Sequence, residues 1–384
     1  MKRHNIDNNY QIAGLNNGKT GNLAVGVCSR QNRSNSISIT NNRWDTVLPL
    51  EFLKDFKRKY PLAFDKMTDI RAVKGKDDIP DWPDWCYIPM GATFAFSSMA
   101  DPLNHIEVGQ QLAALSPWRI GKQIFNMDPD LEAALSEQKI EEMPSEILVH
   151  LPFYAFYVKC NNLRMAGKDY DGFFVHLEYD CKTFDTELRA LLLADDFSTL
   201  PVAIHIDCHT LKENLDRFQK VCDQNNSLRR LPIFRIADAP FYGDYILLQT
   251  KILNIVLYIC SKNADMKPRS PQPSIRDWNT SSRKIRDRYG EVRLWDVGVR
   301  HGNLFRAQKS VTHNTASVGI THNERHSPRP HLRRGHFHHF LIGKRNVPLT
   351  ERRYELKWVA PTFVGAYEDS NDPVVIQFID SDRQ

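Results

Sequence analysis

RPHLRRGHFHHFLIGKRNVPLTERRYELKWVAP, Arg329–Pro361, joins two runs of extended character through a turn-rich connection. His336–Ile342 is aromatic and branched, and Arg353–Val359 alternates so that Tyr354, Leu356 and Trp358 share a face. Gly343, Asn346 and Pro348 supply a loop longer than the minimal hairpin turn, so the pattern predicts a β-hairpin. On its first strand His336 and His338 take one face while Phe337 and His339 take the other. Arg329, Arg333, Arg334, Lys344, Arg345, Arg352 and Arg353 surround the pair. So basic and histidine-rich a ribbon is poor material for a plain core, which makes it the first candidate for function.

Outward from the hairpin the charge is uneven. Between Lys267 and Lys357 there are 20 Lys and Arg against 7 acids, although the 384-residue chain carries only +5, so the remainder is net acidic. A basic C-terminal third points to RNA, DNA or an acidic protein surface, with a solvated face as the plain alternative. Hydrophobic content of 41% and charged content of 25% are ordinary for a soluble globular protein. The length allows a sizeable core. Cys28, Cys86, Cys160, Cys181, Cys208, Cys222 and Cys260 form no C-x-x-C pair. Their odd number and wide spacing predict reduced thiols in the cytoplasm. No signal peptide is visible, and the apolar run Tyr245–Cys260 carries Gln249, Lys251 and Asn254. It therefore reads as a buried helix and not a membrane span.

Residues 1–45, rich in Asn, Ser and Gly, are expected to be disordered. Leu50–Tyr60 predicts an amphipathic helix ended by Pro61. Asp81–Met90 holds Trp82 and Trp85 between prolines, a rigid aromatic segment suited to core packing or to a peptide groove. Asp101-Pro102, Ser116-Pro117 and Asp128-Pro129 each pair a capping side chain with a first-turn proline, predicting helices near 102–115, 117–126 and 129–138. Glu146–Val158, Gly172–Tyr179, Glu187–Leu193 and Pro201–Ile206 read as strands of an antiparallel meander with helices on one face. Helical spacing returns over Thr210–Cys222. Lys267–Arg288 reads as a linker or mobile loop, Leu294–Ala307 as a second basic motif, and Gln308–Pro328 as loop.

The fold class expected is α+β: a helical N-terminal region, a central antiparallel sheet with packed helices, and a C-terminal basic β-hairpin. The divisions are a mainly helical 46–145, sheet plus helices over 146–265, a linker at 266–290, the basic region with its hairpin at 291–366, and a tail at 367–384.

The residues Arg329, Pro330, His331, Arg333, Arg334, Gly335, His336 and His338, then Gly343, Trp358, Pro361 and Val364, resemble the C-terminal block of the second family in the type V-A anti-CRISPR series. That block has the form R-P-H-x-R-R-G-H-W-H, then Gly, R-W and P-x-x-V. Phe337 stands where the family has Trp, and Lys357 where it has Arg. Upstream, Leu151-Pro152 with Tyr157 is similar to its L-P-x-W-x-x-Y segment, with Tyr154 in place of Trp. Gly298, Arg300, Gly302 and Arg306 match G-x-R-x-G-x-x-x-R, and Trp118-Arg119 with Ile124-Phe125 resembles W-R-x-x-x-x-I-Y, with Phe125 in place of Tyr. The resemblance covers residues 80–365 and leaves the first 45 or so aside. It implies a phage- or plasmid-encoded protein that recognises the nascent CRISPR nuclease polypeptide and causes loss of its mRNA during translation. The ribosome or the mRNA itself is then a possible second partner.

Three chemistries remain open at the histidines. A metal shared by His336 and His338, with His331 in reach, lacks a completing cysteine or carboxylate and faces neighbouring arginines. A ribonuclease would use His336 and His338 as acid and base with Arg334 on the phosphate. The adopted reading is binding, without cofactor, metal or catalytic residue. Arg300, Arg306, Arg329, His331, Arg333, Arg334, His336, His338 and Arg353 are the candidates for RNA or an acidic partner. Trp82, Trp85, Leu151, Pro152 and Tyr157 are the candidates for a peptide.

Overall fold

The computed structural model describes residues 47–76, 78–138, 140, 143–206, 210–216, 242–269, 292–315, 331–333, 335–344, 346, 348 and 352–364. At 47, 308–315, 331–333, 363 and 364 it describes backbone only. The expectation for residues 1–45, the tail, most of the linker and the second half of Thr210–Cys222 lies outside the described residues.

Helices α1 (Val47–Lys59), α2 (Ala63–Ala72), α3 (Met90–Ala100) and α4 (His105–Gly121) come first. Strand β1 (Gln123–Met127) and helix α5 (Pro129–Ser136) follow. The meander is β2 (Ala155–Met165), β3 (Lys168–Tyr179), β4 (Thr186–Leu193) and β5 (Thr199–Ile206). Helix α6 (Tyr242–Cys260), the short β6 (Met266–Pro268), β7 (Arg293–Val297) and α7 (Val299–Thr315) complete the main body. The C-terminal strands are β8 (His331–Arg333), β9 (His336–Ile342), β10 (Arg353–Val359) and β11 (Thr362–Val364).

The fold is α+β, as the patterns predict. A seven-stranded sheet runs β5-β4-β3-β2-β1-β7-β6. The meander from β2 to β5 is antiparallel. However, β1 lies between β2 and β7 and is parallel to both. Periodicity could not find β1: the five residues QIFNM are too short a run to be told from a helix end. A left-handed Lys122 at φ 43° ends α4 just before it, its N–H donating to the Trp118 carbonyl.

Helices cover both faces of the sheet, where the sequence reading placed them on one. Phe52, Phe56, Leu112, Leu115 and Trp118 pack on Tyr157, Phe174 and Leu191. On the opposite side α5 and α6 pack on Phe156, Val158, Phe173, Val175 and Leu192. Burial on both sides explains why β3 and β4 read as nearly continuous apolar runs. Helix α6 is long and apolar enough to cross a bilayer by composition, but it is packed as core. Its buried Gln249 and Asn254 donate to the carbonyls of Ala203 and Gln138, which offsets the cost of burying them.

Of the three cap-and-proline starts only Asp128-Pro129 begins a helix, with the Asp128 carboxylate accepting from the N–H groups of Asp130 and Leu131. Asp101 instead closes a turn with Asn104 ahead of α4. Pro117 sits inside α4, where burial of Leu112 through Trp118 outweighs the one hydrogen bond that proline removes. The stretch read as a strand from Glu146 forms a 3-10 turn at Ser145–Val149, and β2 starts only at Ala155. Residues 308–315, read as loop, extend α7, and part of the expected linker is β6.

Candidate functional sites: an apolar cleft and a basic ribbon

Three parallel strands, β1, β2 and β7, start at one end of the sheet. Above them the α4 terminus, the 149–154 segment and Trp85 enclose an open cleft of about 840 Å³. Val149, Leu151, Pro152, Phe153, Tyr154 and Ile120 contribute apolar walls, and Arg119, Gln123 and Arg293 contribute polar groups. The walls are fixed from behind. Trp85 packs edge-on against Tyr179 at 5.8 Å. The Gln123 carbonyl accepts from Trp118 Nε1 at 2.9 Å, and its side-chain oxygen accepts from Trp295 Nε1 at 2.7 Å. Arg119 donates to Thr68 Oγ1 at 2.8 Å and lies over the Phe64 ring. Tyr154, at 44% exposure, is flanked by the Tyr87 ring and the Arg71 guanidinium.

Three of the five peptide candidates, Trp85, Leu151 and Pro152, line this cleft. The other two sit elsewhere. Trp82 is 4% exposed, with its indole N–H on the Cys86 carbonyl. Tyr157 is fully buried, and its hydroxyl donates to Asp171 at 2.8 Å. Burial pushes that phenol well above its ordinary range. Arg119, Phe153, Tyr154 and Arg293 were not among the candidates. The signal that could have found Arg119 and Tyr154 was their place inside the two upstream motifs.

The G-x-R-x-G-x-x-x-R motif is built into the joint between α5 and α7. Arg306 grips both carboxylates at the start of α5, with 3.0 Å to Asp128 Oδ2 and 2.7 Å to Asp130 Oδ2. Those bonds, Asp128's first, hold its guanidinium charge more firmly than usual. A side chain at Gly302 would overlap the Asp128 carboxylate, so glycine is what lets the cap and the arginine meet. Arg300 Nε donates to Asp265 Oδ1 at 2.7 Å, although 71% of its side chain stays exposed. Next to it, His301 Nδ1 meets the Tyr258 hydroxyl at 2.7 Å. Burial lowers the His301 pKa, with Asp265 opposing.

The hairpin forms as its pattern predicts, and its register sets Trp358 opposite Phe337 and Lys357 opposite His338. One face packs onto the main core through Phe337, Tyr354, Leu356 and Trp358, with His339 edge-on to Tyr354. Asn263 fixes its edge by accepting from Trp358 N–H at 2.9 Å and donating to the Trp358 carbonyl at 2.7 Å. Gly335 lies so close to the Trp358 ring that a Cβ would approach it to 2.6 Å. The open face carries His336, His338, Phe340 and Ile342 opposite Val359, Lys357, Glu355 and Arg353, with His336, His338, Phe340 and Arg353 exposed. His331 and Arg333 lie on β8, paired with β11; Arg329 and Arg334 fall outside the described residues. Among the described residues no three His, Cys, Asp or Glu side chains group as metal ligands.

A sheet covered on both faces, with an apolar cleft at one end and a basic ribbon docked by one face, leaves two candidate surfaces. The chain matches the AcrVA2-like family, anti-CRISPR type V subtype A2, over residues 125–366, and it belongs to that family. Protein FinQ of Escherichia coli is 22% identical over 284 residues, 68% of this chain and 78% of that protein. The crystal structure of AcrVA2 shares the fold at a TM-score of 0.51 and 15% identity, covering 82% of this chain and 98% of that one.

Proposed function

We propose that this anti-CRISPR family member lowers production of a type V-A CRISPR nuclease in the cytoplasm of a bacterial host. It recognises the nascent nuclease chain in the cleft above β1, β2 and β7, and the message is lost during translation. The observation that carries this reading is the cleft. It is concave, mostly apolar and braced by Trp118, Trp295 and Tyr179, and its polar groups are few and placed at the walls. Its volume of about 840 Å³ suits several side chains of an extended peptide. Arg119 and Arg293 favour a segment that carries a carboxylate among apolar residues.

The test is a reporter fused to the first codons of the nuclease. Synonymous recoding should leave repression intact, and a frameshift that keeps most of the nucleotides should abolish it. A Leu151→Ala/Tyr154→Ala double variant should lose repression while keeping its thermal midpoint within a few degrees. Repression that follows the nucleotides instead of the peptide would overturn the reading.

A further inference from the structure

We propose that the open face of the β9–β10 ribbon is a stacking platform for single-stranded RNA. This deepens the functional reading above by naming the second partner, and it rests on a different surface. His336, His338 and Phe340 occupy alternate positions on one strand, so their Cα atoms recur at about 6.8 Å along the solvent-facing side of the ribbon, and their side chains form one row. Phe340 remains 42% exposed. The His338 ring stands edge-on to it at 4.3 Å, which fixes its orientation. Such a row suits bases splayed from a single strand, because every base has a π-face and stacking tolerates any sequence. A paired duplex keeps its bases inside and offers the rings nothing.

The charge fits the same occupant. Residues 329–359 hold eight Lys and Arg against two acids. On the face itself Lys357 Nζ lies 5.1 Å from the Phe340 ring centre, with Arg353 at the far end. Glu355, the acid on this face, is paired to Lys262 at 2.9 Å and lies 3.9 Å from Lys357, so its charge is largely offset. An acidic peptide would satisfy the cations but leave the ring row without partners.

The experiment is fluorescence anisotropy of the full chain with a labelled mixed-sequence 12-nucleotide RNA, titrated at several salt concentrations. The single strand should bind, with DNA of the same sequence no tighter and the RNA duplex weaker. Phe340→Ala and, separately, His338→Ala should each weaken binding roughly tenfold, and Lys357→Gln should reduce the salt slope by about 0.7. Both aromatic positions are exposed, so circular dichroism should show unchanged melting. The proposal is overturned by no binding at low salt, by affinities unchanged in both aromatic variants, by tighter binding of DNA or duplex, or by an acidic peptide that competes equally. Purified protein and naked RNA separate this test from the reporter assay. Repression lost in Leu151→Ala/Tyr154→Ala but intact in Phe340→Ala would spare the nascent-chain reading and sink this one.

Discussion

Replacing Glu178 with Gln should remove the loss of stability between about pH 6.5 and 8. Glu178 lies on β3 facing α3, 4% exposed, and its carboxylate accepts from the Met90 N–H. Burial raises its pKa from 4.5 to about 8, helped by Glu187 and opposed by the Met90 bond and Arg189. Two residues back, His176 is buried with no hydrogen-bond partner at either ring nitrogen. Burial, and then Arg189 across the strand pair, lowers its pKa from 6.5 to about 3.

The signs differ. A carboxyl whose folded pKa is raised makes folding take up a proton, so stability falls as pH rises from 4.5 to about 8. A histidine whose folded pKa is depressed makes folding release a proton, so stability falls as pH drops from 6.5 toward 3. Between 4.5 and 6.5 the two slopes cancel, leaving a plateau. Of the two, only Glu178 acts above 6.5, at about 1.4 kcal/mol per pH unit, or about 2 kcal/mol by pH 8. Glu178→Gln keeps an oxygen for Met90 and removes the titration. Urea unfolding from pH 6 to 9 should show the wild type declining by that amount relative to the variant, with equal m-values. Parallel curves would show that Glu178 is ionised and solvated in the folded state, and the reasoning would fail.

Gly302→Ala should cost about 2–4 kcal/mol by urea unfolding, since the new methyl displaces the Asp128 cap and its Arg306 clamp; a change below about 0.5 kcal/mol would mean the joint is looser than it looks. Purified protein should leave single-stranded RNA intact, and cleavage that vanishes in both His336→Ala and His338→Ala would make this an enzyme. Elemental analysis of material prepared without chelator or tag should find no stoichiometric metal; one zinc per chain, lost in the His336→Ala/His338→Ala double variant, would favour a metal centre at the ribbon.

What could be read from the chain was what local pattern controls. Alternation gave the faces of the hairpin strands, with Tyr354, Leu356 and Trp358 together on one, but not the pairing of Trp358 with Phe337, which the long connecting loop leaves open. The meander strands and α6 followed from the same kind of reasoning. The cleft did not, because it is assembled from α4, the 149–154 segment, Trp85 and the starts of three strands, contacts that no window of sequence contains. Of its lining, only Trp85, from the proline-flanked aromatic segment, and Leu151 and Pro152, from the L-P motif, stand out in the sequence. Trp82 and Tyr157 look identical to them in one dimension, and only the packing of Cys86 and Asp171 around them shows that they face inward. Arg300 and Arg306 were legible as a motif but not as a joint, since their acidic partners Asp265, Asp128 and Asp130 lie between 35 and 178 residues away.

Two separate surfaces change what affinity each one needs. A peptide still attached to its ribosome sits beside RNA for as long as it is being made. If the cleft holds that peptide, as proposed, any RNA contact made by the ribbon becomes intramolecular, at an effective concentration on the order of millimolar. A ribbon that binds free RNA with a dissociation constant of about 0.1 mM would then be about nine-tenths occupied on the correct message, yet nearly empty against scattered RNA at micromolar levels. Selectivity on this account resides in the peptide cleft, and the ribbon needs no sequence preference. That is consistent with the row of His336, His338 and Phe340 beside Lys357 and Arg353, since stacking and phosphate contacts carry no base code.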